Sequence, residues 1–215
     1  MPKIVGVFGG TFNPVHNGHV QTLSELVKII PFEKILVIPN FQPPHRENTE
    51  VSFEHRYKMT SLAFKDLNEV IVDDRDKIRG GVSYAIETVE EVINEEKKAR
   101  VVMIVGSDSF AEIQSWYKWR ELLRLVDFIV MKRPDMPLFK NKEANDMVSH
   151  LNYSEELIKR NKKKNVFEIE VTPFRISSSL IRKNIAQGRE VDNFLDPSVK
   201  DYLEENHLYV KKDTT

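Results

Sequence analysis

Residues 9–19 read Gly-Gly-Thr-Phe-Asn-Pro-Val-His-Asn-Gly-His, and the fold turns on how they are read. The apolar run Ile4-Val5-Gly6-Val7-Phe8 precedes them, and Val20, Leu23, Leu26, Val27 and Ile30 follow at three- and four-residue intervals. The first pattern is a short strand and the second one face of a helix, so the stretch between them is a strand-to-helix turn. Gly9 and Gly10 remove side chains where a backbone must approach a bulky anion, and Pro14 stiffens the turn. A helix starting here turns its unsatisfied N–H groups and the positive end of its dipole toward that turn, an arrangement suited to phosphate. His16 and His19, three residues apart with Gly18 between them, share one side of the helix start. Two imidazoles so placed suit zinc ligation, acid–base work or hydrogen bonding to phosphate. Zinc needs a third protein ligand, for which the sequence offers no obvious cluster. Phosphate binding accounts for the glycines, the helix start and the histidines together. The GxGxxG dinucleotide pattern and the GxxxxGK[ST] loop are both absent.

The same alternation continues along the chain. Ile35-Leu36-Val37-Ile38, ended by Pro39, reads as a second buried strand, residues 40–52 as an exposed loop, and residues 53–66 as a helix. Val70-Ile71-Val72 reads as a third strand, and Ser83 as the cap of a helix carrying Ile86, Val89, Val92 and Ile93. Val101–Val105 reads as a fourth strand running into Gly106-Ser107-Asp108, residues 109–125 as one helix, and Phe128–Met131 as a fifth strand. Residues 134–165 show no clear pattern. Val166–Val171 reads as a late strand, followed by helices starting at Ser177 and after Pro197. Strands alternating with helices imply an α/β fold, a doubly wound parallel sheet of Rossmann-like type, because parallel strands need crossover connections. One domain over residues 1–215, with a small C-terminal helical part from about 175, is expected from the length. Ligands in such sheets sit beyond the carboxyl ends of strands where the winding reverses, and both glycine-bearing turns occupy strand ends of that kind.

Composition excludes several classes. With 30 % charged and 40 % hydrophobic residues and a formal net charge of -1, bulk electrostatics favour neither nucleic acid nor an acidic membrane. Lys162-Lys163-Lys164 is a solvated run without interleaved aromatics, so no nucleic-acid partner is expected. Zero cysteine removes disulfides, thiolate metal sites and a cysteine nucleophile. No signal peptide and no membrane-spanning run are visible, and the expected location is cytoplasmic.

Ile176-Ser177-Ser178-Ser179-Leu180-Ile181-Arg182 forms a second helix start, with hydroxyl and N–H groups beside a fixed cation. Taken with residues 9–19, it resembles the paired signatures of the HxGH nucleotidylyltransferases. The chain is more narrowly similar to the bacterial nicotinate-nucleotide adenylyltransferases. That resemblance rests on Pro43-Pro44-His45-Arg46, Arg79-Gly80-Gly81-Val82-Ser83-Tyr84, Gly106-Ser107-Asp108, Trp116 with Trp119, and Arg133-Pro134. Asn13 stands where the family usually has aspartate, and Ala85 where it usually has threonine.

The resemblance implies transfer of the adenylyl group of ATP to nicotinate mononucleotide, with Mg2+ carried by the ATP phosphates and no protein metal site. It implies His16, His19 and Arg182 as candidate catalytic residues, and Gly9, Gly10, Gly18, Asp108, Ile176, Ser177 and Ser178 around ATP. Thr11, Phe12, Arg46, Ser83, Tyr84, Ala85, Trp116 and Tyr117 are the candidate contacts of the mononucleotide, and a homodimer is a candidate assembly. Rival readings are a nicotinamide mononucleotide or phosphopantetheine adenylyltransferase and, in another class, a non-catalytic nucleotide-binding module.

Overall fold

A computed structural model describes residues 3–44, 49, 51–132, 142–152, 164–174 and 176–210. The β-rich runs form β1 (Lys3–Gly10), β2 (Phe32–Pro39), β3 (Val70–Val72), β4 (Ala99–Gly106), β5 (Asp127–Lys132), β6 (Ser149–Asn152) and β7 (Asn165–Glu170). The periodic segments form α1 (Asn17–Ile29), α2 (Phe53–Ala63), α3 (Arg75–Arg79), α4 (Ala85–Glu95), α5 (Ser107–Ala111), α6 (Trp119–Leu125), α7 (Lys142–Met147), α8 (Ser178–Ala186) and α9 (Pro197–Glu205). All pairings among the described strands are parallel, in the order β3-β2-β1-β4-β5-β7-β6. The winding reverses between β1 and β4. These two lie side by side with Val7 opposite Met103, so the turns after Gly10 and Gly106 open at the same edge of the sheet.

Strand alternation divides the core in two. Ile4 and Phe8 of β1 join Leu23 and Leu26 of α1, Met59 of α2, Ile181 of α8 and Leu203 of α9 on one face. Val5 and Val7 join Val89 and Val92 of α4, Phe110 of α5 and Leu122 and Leu123 of α6 on the other. Full burial of one such side chain contributes about 1.5–3 kcal/mol, so both helical layers are held mainly by apolar burial. The C-terminal helices share the apolar layer of α1 and α2. Main-chain Asn17 N–H also donates to Phe194 O at 2.8 Å, which binds the mouth of α1 to the segment before α9.

Three local expectations are corrected. Residues 109–125 are not one helix: α5 gives way to a 3-10 turn at Ile113–Ser115, and Lys118 adopts φ 50° before α6 begins. That break sends Trp116 and Tyr117 to the lip of a cavity rather than along a helix face. Ser83 does not cap α4; the cap position is Tyr84, and the Ser83 hydroxyl accepts the Phe41 N–H at 2.8 Å. In the stretch without a clear pattern, Ser149–Asn152 forms β6, a four-residue edge strand whose single apolar residue gives no two-residue period to detect. Among the described residues no helix is long and apolar enough to cross a membrane.

Candidate active site at the sheet switch point

The turn after β1 is held by side chains from distant elements. Arg56 Nη1 donates to Thr11 O at 2.8 Å, Arg182 Nη1 to Asn13 O at 2.7 Å, and Ser178 Oγ to Pro14 O at 2.9 Å. Tyr209 OH donates to Asn13 Oδ1 at 2.5 Å. Phe12, between these anchors, has φ 47°, a left-handed conformation that non-glycine residues rarely keep unless their surroundings impose it. Gly10 suits the close approach of the Phe12 ring, since a Cβ there would lie 3.0 Å from it and the ring would have to give way.

His16 occupies the cap of α1, and its N–H donates to His19 Nδ1 at 3.2 Å. The two imidazoles stack with centroids 3.7 Å apart, and the His19 ring meets the Phe12 ring edge-on at 5.2 Å. An accepting Nδ1 leaves the proton of a neutral His19 on Nε2. Gly18 keeps this pair in place, since a Cβ would sit 3.0 Å from His16 Nδ1 and 3.3 Å from Phe174 Cβ.

A cavity of about 670 Å³ opens beyond the ends of β1 and β4, within the range of small-molecule sites. Its wall takes Gly9, Gly10, Thr11, Phe12, His16, Gly18 and His19 from the first turn, and Ile176, Ser177 and Ser178 from the start of α8. Ser83, Tyr84 and Ala85 come from the start of α4, Asp108 from the first turn of α5, and Trp116 and Tyr117 from the break before α6. The two helix mouths named by the early and late motifs therefore face one space. Arg182 lies beside that space, on Asn13 O, rather than on its wall. Arg46, with His45, Arg133 and Pro134, lies outside the described residues.

Several predicted contacts already have structural partners. The Ser177 hydroxyl caps α8 by accepting Leu180 N–H at 3.2 Å, and Ser178 is spent on Pro14. Ser83 bridges to the β2 exit loop through its hydroxyl and through its N–H on Gln42 O at 2.9 Å. Tyr84 and Tyr117 face each other with ring centroids 4.3 Å apart, Trp116 is half-buried on the cavity wall, and Trp119 is buried in the core beneath Arg120. The N–H groups at the start of α4 meet the cavity without a side-chain cap. The Asp108 side chain keeps its present rotamer because Gly106, two residues earlier, has no Cβ, which would come 2.6 Å from Asp108 Oδ1.

Sequence reasoning passed over Phe174 on the wall and Arg56 behind the turn, and matched Leu208-Tyr209 to the family without giving Tyr209 a place at the site. For Arg56 a signal existed: it shares the buried stripe of α2 with Met59, Thr60 and Ala63, an unusual place for a guanidinium. Burial lowers its pKa from the ordinary value, opposed by the nearby Tyr209 and Glu54.

Residues 7–184 match the family model described as cytidylyltransferase-like. A Pectobacterium atrosepticum protein named "probable nicotinate-nucleotide adenylyltransferase" is 32 % identical over 212 residues, covering 97 % of this chain and 100 % of its own. A Pseudomonas aeruginosa PAO1 protein of the same name is 30 % identical over 210 residues, covering 97 % and 98 %. The solved structure of Plasmodium falciparum nicotinic acid mononucleotide adenylyltransferase complexed with NaAD superposes with a TM-score of 0.76 at 17 % identity, over 96 % of this chain and 97 % of that one. The fold is thus shared with that structure, and by family match and relatedness along nearly its whole length the chain belongs to the nicotinate-nucleotide adenylyltransferases of the cytidylyltransferase-like family.

Proposed function

We propose that this chain transfers the adenylyl group of ATP to nicotinate mononucleotide, giving nicotinate adenine dinucleotide and pyrophosphate. One observation carries the reading: Ser178 Oγ bonds Pro14 O at 2.9 Å, so the mouths of α1 and α8 open on one cavity that can enclose a single triphosphate. A 5′-phosphate oxygen attacks the α-phosphorus in line, the bond to the β-phosphate bridge oxygen breaks, and pyrophosphate leaves with its electron pair. A phosphate dianion needs no general base, so catalysis reduces to alignment and charge neutralisation.

In this reading His19 donates from Nε2 to the reacting phosphate, with His16 beside it, and the Thr11 and Phe12 amides hold the mononucleotide phosphate. The start of α8 offers main-chain N–H groups and the Ser177 O–H, whose oxygen accepts from Leu180 while its proton stays available, and Arg182 supplies positive charge toward the leaving pyrophosphate. Asp108 accepts from the adenosine ribose, and Trp116 stacks on the pyridine ring. The donors on the phosphate side, amides and imidazoles, suit phosphate oxygens rather than a bare cation, so ATP enters as its magnesium complex. The reaction is taken to be cytoplasmic, with a homodimer as a candidate assembly.

The start of α4, carrying Ala85, lies on the cavity wall without a side-chain cap, and in this reading its positive dipole end faces the pyridine ring. A carboxylate gains from that field and a neutral amide does not. Nicotinate mononucleotide should therefore exceed nicotinamide mononucleotide in kcat/KM by about tenfold, equivalent to about 1.4 kcal/mol. Pyrophosphate release measured with both, and with phosphopantetheine, tests this. No release with either mononucleotide ends the reading, and faster release with phosphopantetheine moves the chain to that acceptor.

A further inference from the structure

Arg56 is 1 % exposed and does not line the cavity. Its Nη1 donates to Thr11 O at 2.8 Å and its Nη2 to Phe41 O at 3.2 Å, while Nε has no hydrogen-bond partner among the described residues. No carboxylate of the described residues forms an ion pair with it; Tyr209 and Glu54 act on it only through space, and the Phe53 ring lies 5.5 Å from the guanidinium carbon. A guanidinium stays protonated even when buried. An unpaired buried cation is costly, and an apolar side chain of similar size would serve packing better. The charge therefore has a use other than packing.

That use follows from peptide geometry. The Thr11–Phe12 bond is trans, since only Asn13–Pro14 is cis among the described residues. In a trans peptide the C=O and the following N–H point in opposite directions. With Thr11 O turned to Arg56, the Phe12 N–H is turned away from it, toward the side where Thr11 and Phe12 line the cavity. A cation on the carbonyl end also polarises the peptide, making the far N–H a stronger donor. The second arm, on Phe41 O, ties the same guanidinium to the loop that follows β2 and so fixes it laterally.

We propose that Arg56 is a positioning residue for phosphate recognition, gripping the Thr11 carbonyl from behind so that the Phe12 N–H is aimed and polarised toward the phosphate of the bound mononucleotide. This rests on the proposed substrate and deepens it: the acceptor's phosphate, rather than its base or ribose, is what Arg56 governs.

Arg56→Lys keeps the charge and gives up the two-armed grip. With nicotinate mononucleotide its kcat/KM should fall about 10²-fold, the size of losing one aligned donor, while affinity for nicotinate riboside, which lacks the phosphate, stays within about twofold of the unaltered enzyme. Equal losses for riboside and mononucleotide would assign Arg56 to packing alone, and an unchanged kcat/KM would remove it from recognition; either overturns the proposal. Should Arg56→Lys fail to fold, amide NMR of the unaltered enzyme decides. The Phe12 N–H resonance should move downfield on adding nicotinate mononucleotide and not on adding the riboside, and a stationary resonance overturns the proposal. An unaltered enzyme that releases no pyrophosphate refutes the substrate reading instead, so the two failures are distinguishable.

Discussion

His19 meets the cavity with Nδ1 already accepting the His16 N–H at 3.2 Å, which leaves Nε2 as its outward donor. Replacing it with alanine removes that donor and little of the core, because the half-buried ring only flanks Phe8 and Phe12 at the margin of the apolar layer and is not itself a core member. His19→Ala should lower kcat by about 10²–10³-fold, and circular dichroism should stay as in the unaltered protein. A near-normal rate would remove His19 from phosphate contact. The early turn was readable in the sequence because its signals are local: a short apolar run, two glycines and a three-residue histidine spacing. The partners that hold it were not. Asn13 and Tyr209 stand 196 positions apart, and nothing in their neighbours announces that a phenol will meet an amide. The departure at Asn13 has a physical setting all the same, since its buried side chain accepts from Tyr209 and its carbonyl from Arg182.

Between elements, the two helix mouths are joined by more than Ser178. Glu25 on α1 accepts the Thr172 N–H at 2.8 Å, which ties α1 to the segment leading from β7 into α8. That hydrogen bond is the main reason why the Glu25 carboxyl lies below its ordinary pKa of 4.5. A lowered folded-state pKa means stability that is present above 4.5 and lost as pH falls through the folded value. Glu25→Gln should therefore flatten the acid limb of a Tm-against-pH series below that point. The change should be under about 1 kcal/mol, because water screens a half-exposed carboxylate. An acid limb identical in both proteins would show the tie to be inconsequential. Helices and strands with clear periods were legible at this scale. The break at residues 112–118 was not: the sequence there contains no proline or glycine, and the left-handed turn falls on Lys118, a residue type that does not announce it. Ser83 misled for a related reason, as a hydroxyl before a helix usually caps it, yet here it bridges two loops.

Across the whole molecule, the parallel order β3-β2-β1-β4-β5-β7-β6 puts the first glycine turn and Asp108 at one reversal point, which the βα alternation had already implied. What alternation left open was the placement of β6 at the far edge, outside β7, because short polar edge strands carry little pattern. A nucleotide in the cavity touches both halves of the sheet and the start of α8, so its binding energy adds to global stability. Magnesium ATP at one hundred times its Kd should stabilise the fold by about 2.7 kcal/mol. For a chain of this size that corresponds to a rise in Tm of roughly 5–10 °C in calorimetry. No rise at saturating nucleotide would show that magnesium ATP does not bind the folded chain, which would remove it as substrate.

The anchoring of the first turn by Arg182, Ser178 and Tyr209 sets an order of events during protein synthesis. β1 leaves the ribosome before α8 and α9, yet its exit turn is held by side chains that emerge only with or after those helices. A nascent chain halted before Ser178 would already possess β1 while lacking the Ser178, Arg182 and Tyr209 side chains that hold its exit turn, so that turn is completed after the strand it leaves.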